Sequence, residues 1–138
     1  MKIHVVRMDQ KPIENYRAIV VSENFINFLD ISDNECVEIL ANDALDSFSI
    51  EKIPECIHGL VKKLRLGGTL VIGGTDIRLF AKAITNGAIG RGDASGMIDS
   101  LHSMATMSMV SPVIEKAGLK IINTSLGGVH FEIKAQRV

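Results

Sequence analysis

The sequence predicts an α/β layer with a mainly parallel sheet and an antiparallel strand added at one edge by a C-terminal hairpin. Three observations carry that expectation. Short β-branched runs such as Ile3-His4-Val5-Val6 and Cys36-Val37-Glu38-Ile39-Leu40-Ala41 alternate with stretches of helical period, the pattern that builds parallel sheets. The stretch Leu64 to Asp76 reads as a helix end, a tight turn at Gly67-Gly68 and a buried strand Thr69–Ile72 that stops at Gly73-Gly74, because glycine enters a left-handed conformation at little cost. Finally, Leu119–Thr124 and Val129–Ala135 flank Gly127-Gly128, a hairpin signature.

With 138 residues and 46% hydrophobic content, one domain spanning 1–138 with a real core is expected. Fifteen Lys and Arg stand against 16 Asp and Glu, a net charge of −1. No basic footprint for nucleic acid or an acidic membrane surface follows from that balance. Cys36 and Cys56 lie in apolar segments without CxxC spacing, so buried free thiols in a reducing compartment are expected rather than a disulfide framework or a zinc knuckle. No apolar run reaches the length of a membrane span, and the first residues lack a signal-peptide core. A soluble, cytoplasmic protein is the expectation.

In chain order, Met1–Val6 predicts a strand, residues 9–15 a polar loop containing Pro12, and Arg17–Val21 a second strand. Phe25–Leu29 reads either as a short third strand or as an apolar loop under the core, and Cys36–Ala41 as the next strand. Ile50, Ile53, Ile57, Leu60, Val61 and Leu64 recur at helical spacing between Ile50 and Leu66. Ser49 is a candidate N-cap, Pro54 fits the first turn, and Lys62, Lys63 and Arg65 suit the last. After the strand, Ile77–Ile84 predicts a helix and Asp76 its cap. The four glycines of Asn86–Gly96 predict a mobile loop. Met97–Met109 predicts another helix with Met97, Ile98, Leu101, Met104 and Ala105 on one face. Pro112 opens a short helix Val113–Ala117 that Gly118 closes.

Several of these segments together resemble a known family. Phe28-Leu29-Asp30-Ile31-Ser32-Asp33-Asn34, then Val37 to Asp46, then Leu64-Arg65-Leu66-Gly67-Gly68-Thr69-Leu70-Val71-Ile72, and the tail Val113 to Ile122 resemble class I S-adenosylmethionine-dependent methyltransferases of the short kind. The order and spacing of these segments match nearly the whole chain. The resemblance implies a Rossmann-like methyltransferase sheet, mostly parallel with an antiparallel C-terminal strand and a reduced number of helices. It also implies a glycine-rich cofactor turn after the first strand and an acidic ribose-binding residue after the second. At the matching positions the chain reads His4-Val5-Val6-Arg7-Met8-Asp9, and no glycine precedes Gly59. The second strand ends Val20-Val21-Ser22-Glu23, leaving Glu23 as a displaced substitute. Leu66 replaces the proline of the family's "KPGG" turn. Bulky side chains where the backbone must approach the ligand predict a degenerate cofactor site.

Under that resemblance, Arg7, Glu23, Asn42 and Asp43 are the cofactor-binding candidates, while Asp43, Asp46 and His102 are the catalytic ones. Asn42, Asp43 and Asp46 also suit capping and loop hydrogen bonding. His4, His58, His102 and His130 fall in four separate elements, so no metal site is expected from spacing. Met97, Met104, Met107 and Met109 suit either a core stripe or an adaptable interface, which makes a homo-oligomer or a protein partner reasonable. Three functions follow as expectations: a binding or scaffold module without ordinary S-adenosylmethionine binding; an active methyltransferase on a small molecule or glycan with an unorthodox cofactor site; or a small-molecule binding domain that reuses the pocket. In the first case no cofactor is expected, in the second S-adenosylmethionine.

Overall fold

The computed structural model describes residues 1–138 except Asp9, Leu29 and Met104. The apolar runs form β1 (Lys2–Val6), β2 (Arg17–Ser22), β3 (Phe25–Ile26), β4 (Cys36–Ala41), β5 (Leu64–Thr75), β6 (Leu119–Gly127) and β7 (His130–Arg137). The helical periods form α1 (Ile53–Lys63), α2 (Ile77–Thr85), α3 (Arg91–Asp99) and α4 (Met107–Lys116). Among the described residues the strands make one sheet in the order β3-β2-β1-β4-β5-β7-β6. Strands β2, β1, β4 and β5 run parallel, and β7 runs antiparallel between β5 and β6. The expected hairpin is therefore present, but its antiparallel strand lies inside the sheet and β6 forms the edge.

Side-chain alternation along the strands decides where the core sits. Ile3, Val5, Ile19, Val21, Ile39, Ala41, Leu70, Ile72, Ile133 and Ala135 are buried in one cluster with Ile57 and Leu60 of α1 and Val110 and Ile114 of α4. The opposite face carries Lys2, His4, Ala18, Val20, Glu38, Leu40, Val71 and Lys134, all half-buried or exposed. Parallel sheets usually bury both faces under crossover helices. Here, among the described residues, no α-helix forms before Ile53, and those between β1 and β2 form neither helix nor strand. The Ile13 amide donates to His4 Nδ1 at 3.2 Å, the Tyr16 hydroxyl donates to the Glu38 carboxylate, and the Lys2 ammonium lies 5.6 Å from the Tyr16 ring centre. These contacts lay the connection partly over the second face.

Several expected boundaries move. Only Phe25–Ile26 of the third segment forms a strand, antiparallel to β2, with Asn24 at φ +55 in the turn between them; Leu29 lies outside the described residues. Residues Ile50–Lys52 make a separate 3-10 turn, and α1 starts at Ile53 with Pro54 in its first turn. The Ser49 side chain caps neither. α1 ends at Lys63 rather than Leu66, because Leu64 already pairs with Cys36 of β4. Gly67-Gly68 therefore lies within β5 and not in a turn. Gly67 has φ +80 opposite a register irregularity between Cys36 and Glu38, the geometry of a bulge. Gly73-Gly74 does not end the strand, which continues to Thr75.

The expected loop Asn86–Gly96 is confined to residues 86–90, and Arg91–Asp99 is the helix α3. Gly92 and Gly96 face open space, so this surface helix asks nothing of their missing side chains. The expected helix Met97–Met109 is broken: α3 stops at Asp99, and the Thr106 hydroxyl caps α4 by accepting from the Met109 amide at 3.2 Å. Met104 of that stripe lies outside the described residues. Pro112 sits inside α4 instead of opening a new helix, while Gly118 closes it at φ +94, as expected.

Candidate functional site

The carboxyl ends of β4 and β5 and the first residues of β7 meet at one end of the sheet's strands, and Gly73-Gly74 explains how closely. A Cβ on Gly73 would lie 2.0 Å from the Phe131 carbonyl oxygen and 2.7 Å from that of Asn42. A Cβ on Gly74 would lie 2.9 Å from Asp46 Oδ1. Both glycines are thus required by close approach. The space they leave admits the Asp46 side chain, only 5% exposed. The Thr75 amide donates to Asp46 Oδ1 at 2.7 Å, and the Thr75 hydroxyl donates to Oδ2 at 3.0 Å. Burial pushes the Asp46 carboxyl above its ordinary range; the Thr75 hydrogen bonds oppose that shift, the Asp43 charge adds to it, and His130 counters it.

The pairing of Thr75 with His130 in the β5–β7 ladder brings the imidazole to the same place. His130 Nδ1 lies 3.7 Å from Asp43 Oδ1. Ligand atoms of Asp43, Asp46 and His130 all fall within 4.8 Å of one another, so these residues could hold a cation, a carboxylate and imidazole donor set of the kind zinc and manganese accept. The Asn42 side-chain amide donates to the Glu132 carboxylate. An acid-lined cleft of about 300 Å³ opens here between Asn42, Asp43, Ser125, Gly127, His130 and Glu132. On the other side of His130 a larger apolar cleft of about 520 Å³ is walled by Leu79, Ala83, Ile89 and Val129, with Lys82 at its rim.

The capping alternative for Asp43 is not realised: it precedes the 3-10 turn Ala44–Ser47 without a side-chain capping bond. Asp76, in contrast, is the expected cap. Its Oδ1 accepts from the amides of Arg78 at 2.9 Å and Leu79 at 3.2 Å, and its Oδ2 accepts from the Met107 amide at 3.2 Å, tying α2 to α4. His102 stands apart from the acid-lined cleft. Its backbone amide donates to the Asp46 carbonyl at 2.9 Å, while its Nδ1 is 3.9 Å from Glu23, and its ring lines a separate cleft of about 430 Å³ with Ile50, Ile98 and Leu101. Glu23 and His102 therefore meet each other rather than Asp43.

At the end of β1 the Arg7 side chain is half-buried, and its Nε is buried without a hydrogen-bond partner among the described residues. The Arg7 amide donates to Gln10 Oε1 at 2.8 Å, and Met8 points outward, 89% exposed. Arg7 thus turns inward while Met8 does not. Reasoning from sequence spacing separated the histidines and missed His130, Thr75 and Glu132. The signal that locates them is the glycine pair Gly73-Gly74, which marks a strand that two neighbours approach at backbone distance, together with the hairpin register that sets His130 against Thr75.

No protein-family model and no curated protein sequence matches the chain. Solved structures do match it. A SAM-dependent methyltransferase from Archaeoglobus fulgidus aligns over 88% of this chain and 68% of its own length at TM-score 0.63 and 8% identity. One from Aquifex aeolicus aligns over 91% and 56% at TM-score 0.55 and 15% identity. A Haloferax volcanii complex of a methyltransferase with a methyltransferase activator aligns over 92% and 63% at TM-score 0.58 and 8% identity. The chain thus spans 56% to 68% of the length of these structures. At such identities the likeness concerns the backbone, and together with the strand order it shows a class I methyltransferase-like, Rossmann-like fold.

Proposed function

We propose that this chain is a methyltransferase-fold binding module that has lost ordinary S-adenosylmethionine binding and takes a small ligand or a protein partner at the clefts flanking His130. The observation that carries the reading is the end of β1. A cofactor cradle of this fold needs backbone amides brought close to the ligand, as a glycine turn and a following helix N-terminus provide. Here Val6 is buried, Arg7 turns inward, and residues 7–16 supply neither a glycine nor, among those described, a helix. The clefts, by contrast, are built from the residues just after β4, the β6–β7 hairpin, and α2 with the residues that follow it. Their volumes of about 300 and 520 Å³ suit a small molecule. The buried thiols of Cys36 and Cys56, both free, support a cytoplasmic setting, and the single unit 1–138 is the part we assign this role. That a structural neighbour is a methyltransferase held by an activator supports a protein partner as the second occupant.

The test is titration calorimetry with S-adenosylmethionine, run beside a thermal-shift screen of small cationic and apolar metabolites. The expected result is no heat with the adenosyl compound and a shift with a screen member that Asp43→Ala removes. Micromolar binding of S-adenosylmethionine overturns the reading in favour of an active methyltransferase. The Asp43–His130 pair favours that second reading, since such a pair could take a proton from a substrate hydroxyl or amine. Methyl transfer abolished by Asp43→Ala would establish it.

A further inference from the structure

The two edges of the sheet are treated differently. At one end β3 is two residues long, and a very short strand offers little template for pairing. At the other end β6 runs nine residues, Leu119–Gly127. Its first part carries Lys120 and the register irregularity between Ile121 and Asn123, devices that deter edge pairing. Beyond the irregularity nothing does. Residues 122–127 read Ile-Asn-Thr-Ser-Leu-Gly, with no charge and no proline, and all six are exposed. Ile122 is 51% and Leu126 55% exposed. Alternate backbone N–H and C=O groups of this segment point away from β7, without a strand beyond them among the described residues.

We propose that the Asn123–Gly127 edge of β6 pairs with the same edge of a second copy of this chain, antiparallel and about a two-fold axis near Ser125. The occupant follows from symmetry and charge. An antiparallel pair of identical strands is self-complementary: each donor of one copy meets the acceptor of the other, so one patch serves both partners and the assembly closes at two. The uncharged segment sets no like charges opposite each other, and Lys120 of each copy falls beyond the end of the paired stretch. Pairing also shields Leu126, whose exposure otherwise adds an apolar patch beside the unpaired backbone. The proposal is independent of the cofactor reading at the end of β1, while Ser125 and Gly127 also line the acid-lined cleft beside His130.

Sedimentation velocity of the full chain at tens of micromolar measures it. A dimer is expected, with Thr124→Pro and Thr124→Lys both converting it to a folded monomer, folding being checked by far-UV circular dichroism and the melting temperature. The lysine variant keeps the test open where the proline variant fails to fold. Ser125→Cys should form a disulfide-linked dimer under mild oxidation, because residues facing each other across a two-fold fall within disulfide reach. A monomer throughout the range overturns the proposal. So does a dimer that survives Thr124→Lys and gives no cross-link at position 125.

Discussion

Residues 1–35 and residues 36–138 contribute to one sheet by different rules. In the second region strands are joined by helices, glycines let β5 touch both neighbours, and the acids at the strand ends are buried and satisfied: Asp46 by Thr75 and Asp76 by three backbone amides. In the first region no α-helix joins β1 to β2 among the described residues and a tight turn joins β2 to β3, and the face away from the core carries exposed Val20 beside half-buried Ala18 and His4. The first region is held by its buried Ile3, Val5, Ile19 and Val21 and by the β1–β4 pairing, with added polar ties such as the Asn24 amide to the Ser47 carbonyl at 2.8 Å and the Ser49 amide to Asn24 Oδ1 at 2.8 Å. The difference teaches that helices and close strand approaches carry the second region of the sheet, while the first region adds strands without crossover helices among the described residues. Our proposal that the end of β1 no longer cradles an adenosyl cofactor draws on that contrast.

That contrast can be broken or sharpened by substitution. Gly73→Ala should have the largest effect, destabilising by ~3 kcal/mol or more, because the added Cβ would sit 2.0 Å from the Phe131 carbonyl; urea denaturation measures it. Asp46→Ala should cost about 1–3 kcal/mol, the penalty for leaving the Thr75 donors unpaired in the interior.

Asp46→Asn is the informative partner, since it keeps an acceptor for the Thr75 amide. The Asp46 carboxyl is held above its ordinary value of 3.8 by burial, so between the unfolded and folded pKa the native state binds more protons than the unfolded state. The sign follows: this group's contribution is most favourable below the ordinary carboxylate range and is lost as pH rises through the folded pKa. Denaturation curves at several pH values should therefore show a decline in the parent that Asp46→Asn flattens.

A fourth outcome concerns the thiols. Burial pushes the Cys56 thiol up to about 12, so neither it nor buried Cys36 should react with iodoacetamide at pH 8 until the chain unfolds. In the first region the expected effects are small. Met8→Ser, at a side chain 89% exposed, should change stability by less than about 0.5 kcal/mol, and amide exchange in β2 and β3 should outpace that in β5 and β7.

Much of this was written in the sequence where local physics dominates. The β-branched runs, the periodic apolar residues of α1, the Asp76 cap and the Gly118 stop are local signals, and the structure keeps them. Boundaries moved where tertiary pairing overrode them. Leu64 joins β5 because Cys36 waits opposite it, and Gly67 serves a bulge instead of a turn. Glycines at 92 and 96 argued against a helix, yet α3 forms as a surface helix. The cluster of Asp43, Asp46 and His130 was illegible because it depends on the register of a hairpin some 85 residues further along the chain than Asp43 and Asp46. Only the glycine pair hinted at it.

The claim that the first region has lost the cofactor cradle is tested most directly by titrating the full chain with S-adenosylhomocysteine, which cannot transfer a methyl group and so isolates binding. The account predicts no heat of binding and no rise in melting temperature at millimolar ligand. A saturable isotherm with a micromolar Kd, together with a rise in melting temperature that a bulkier residue at Val6 abolishes, would contradict it.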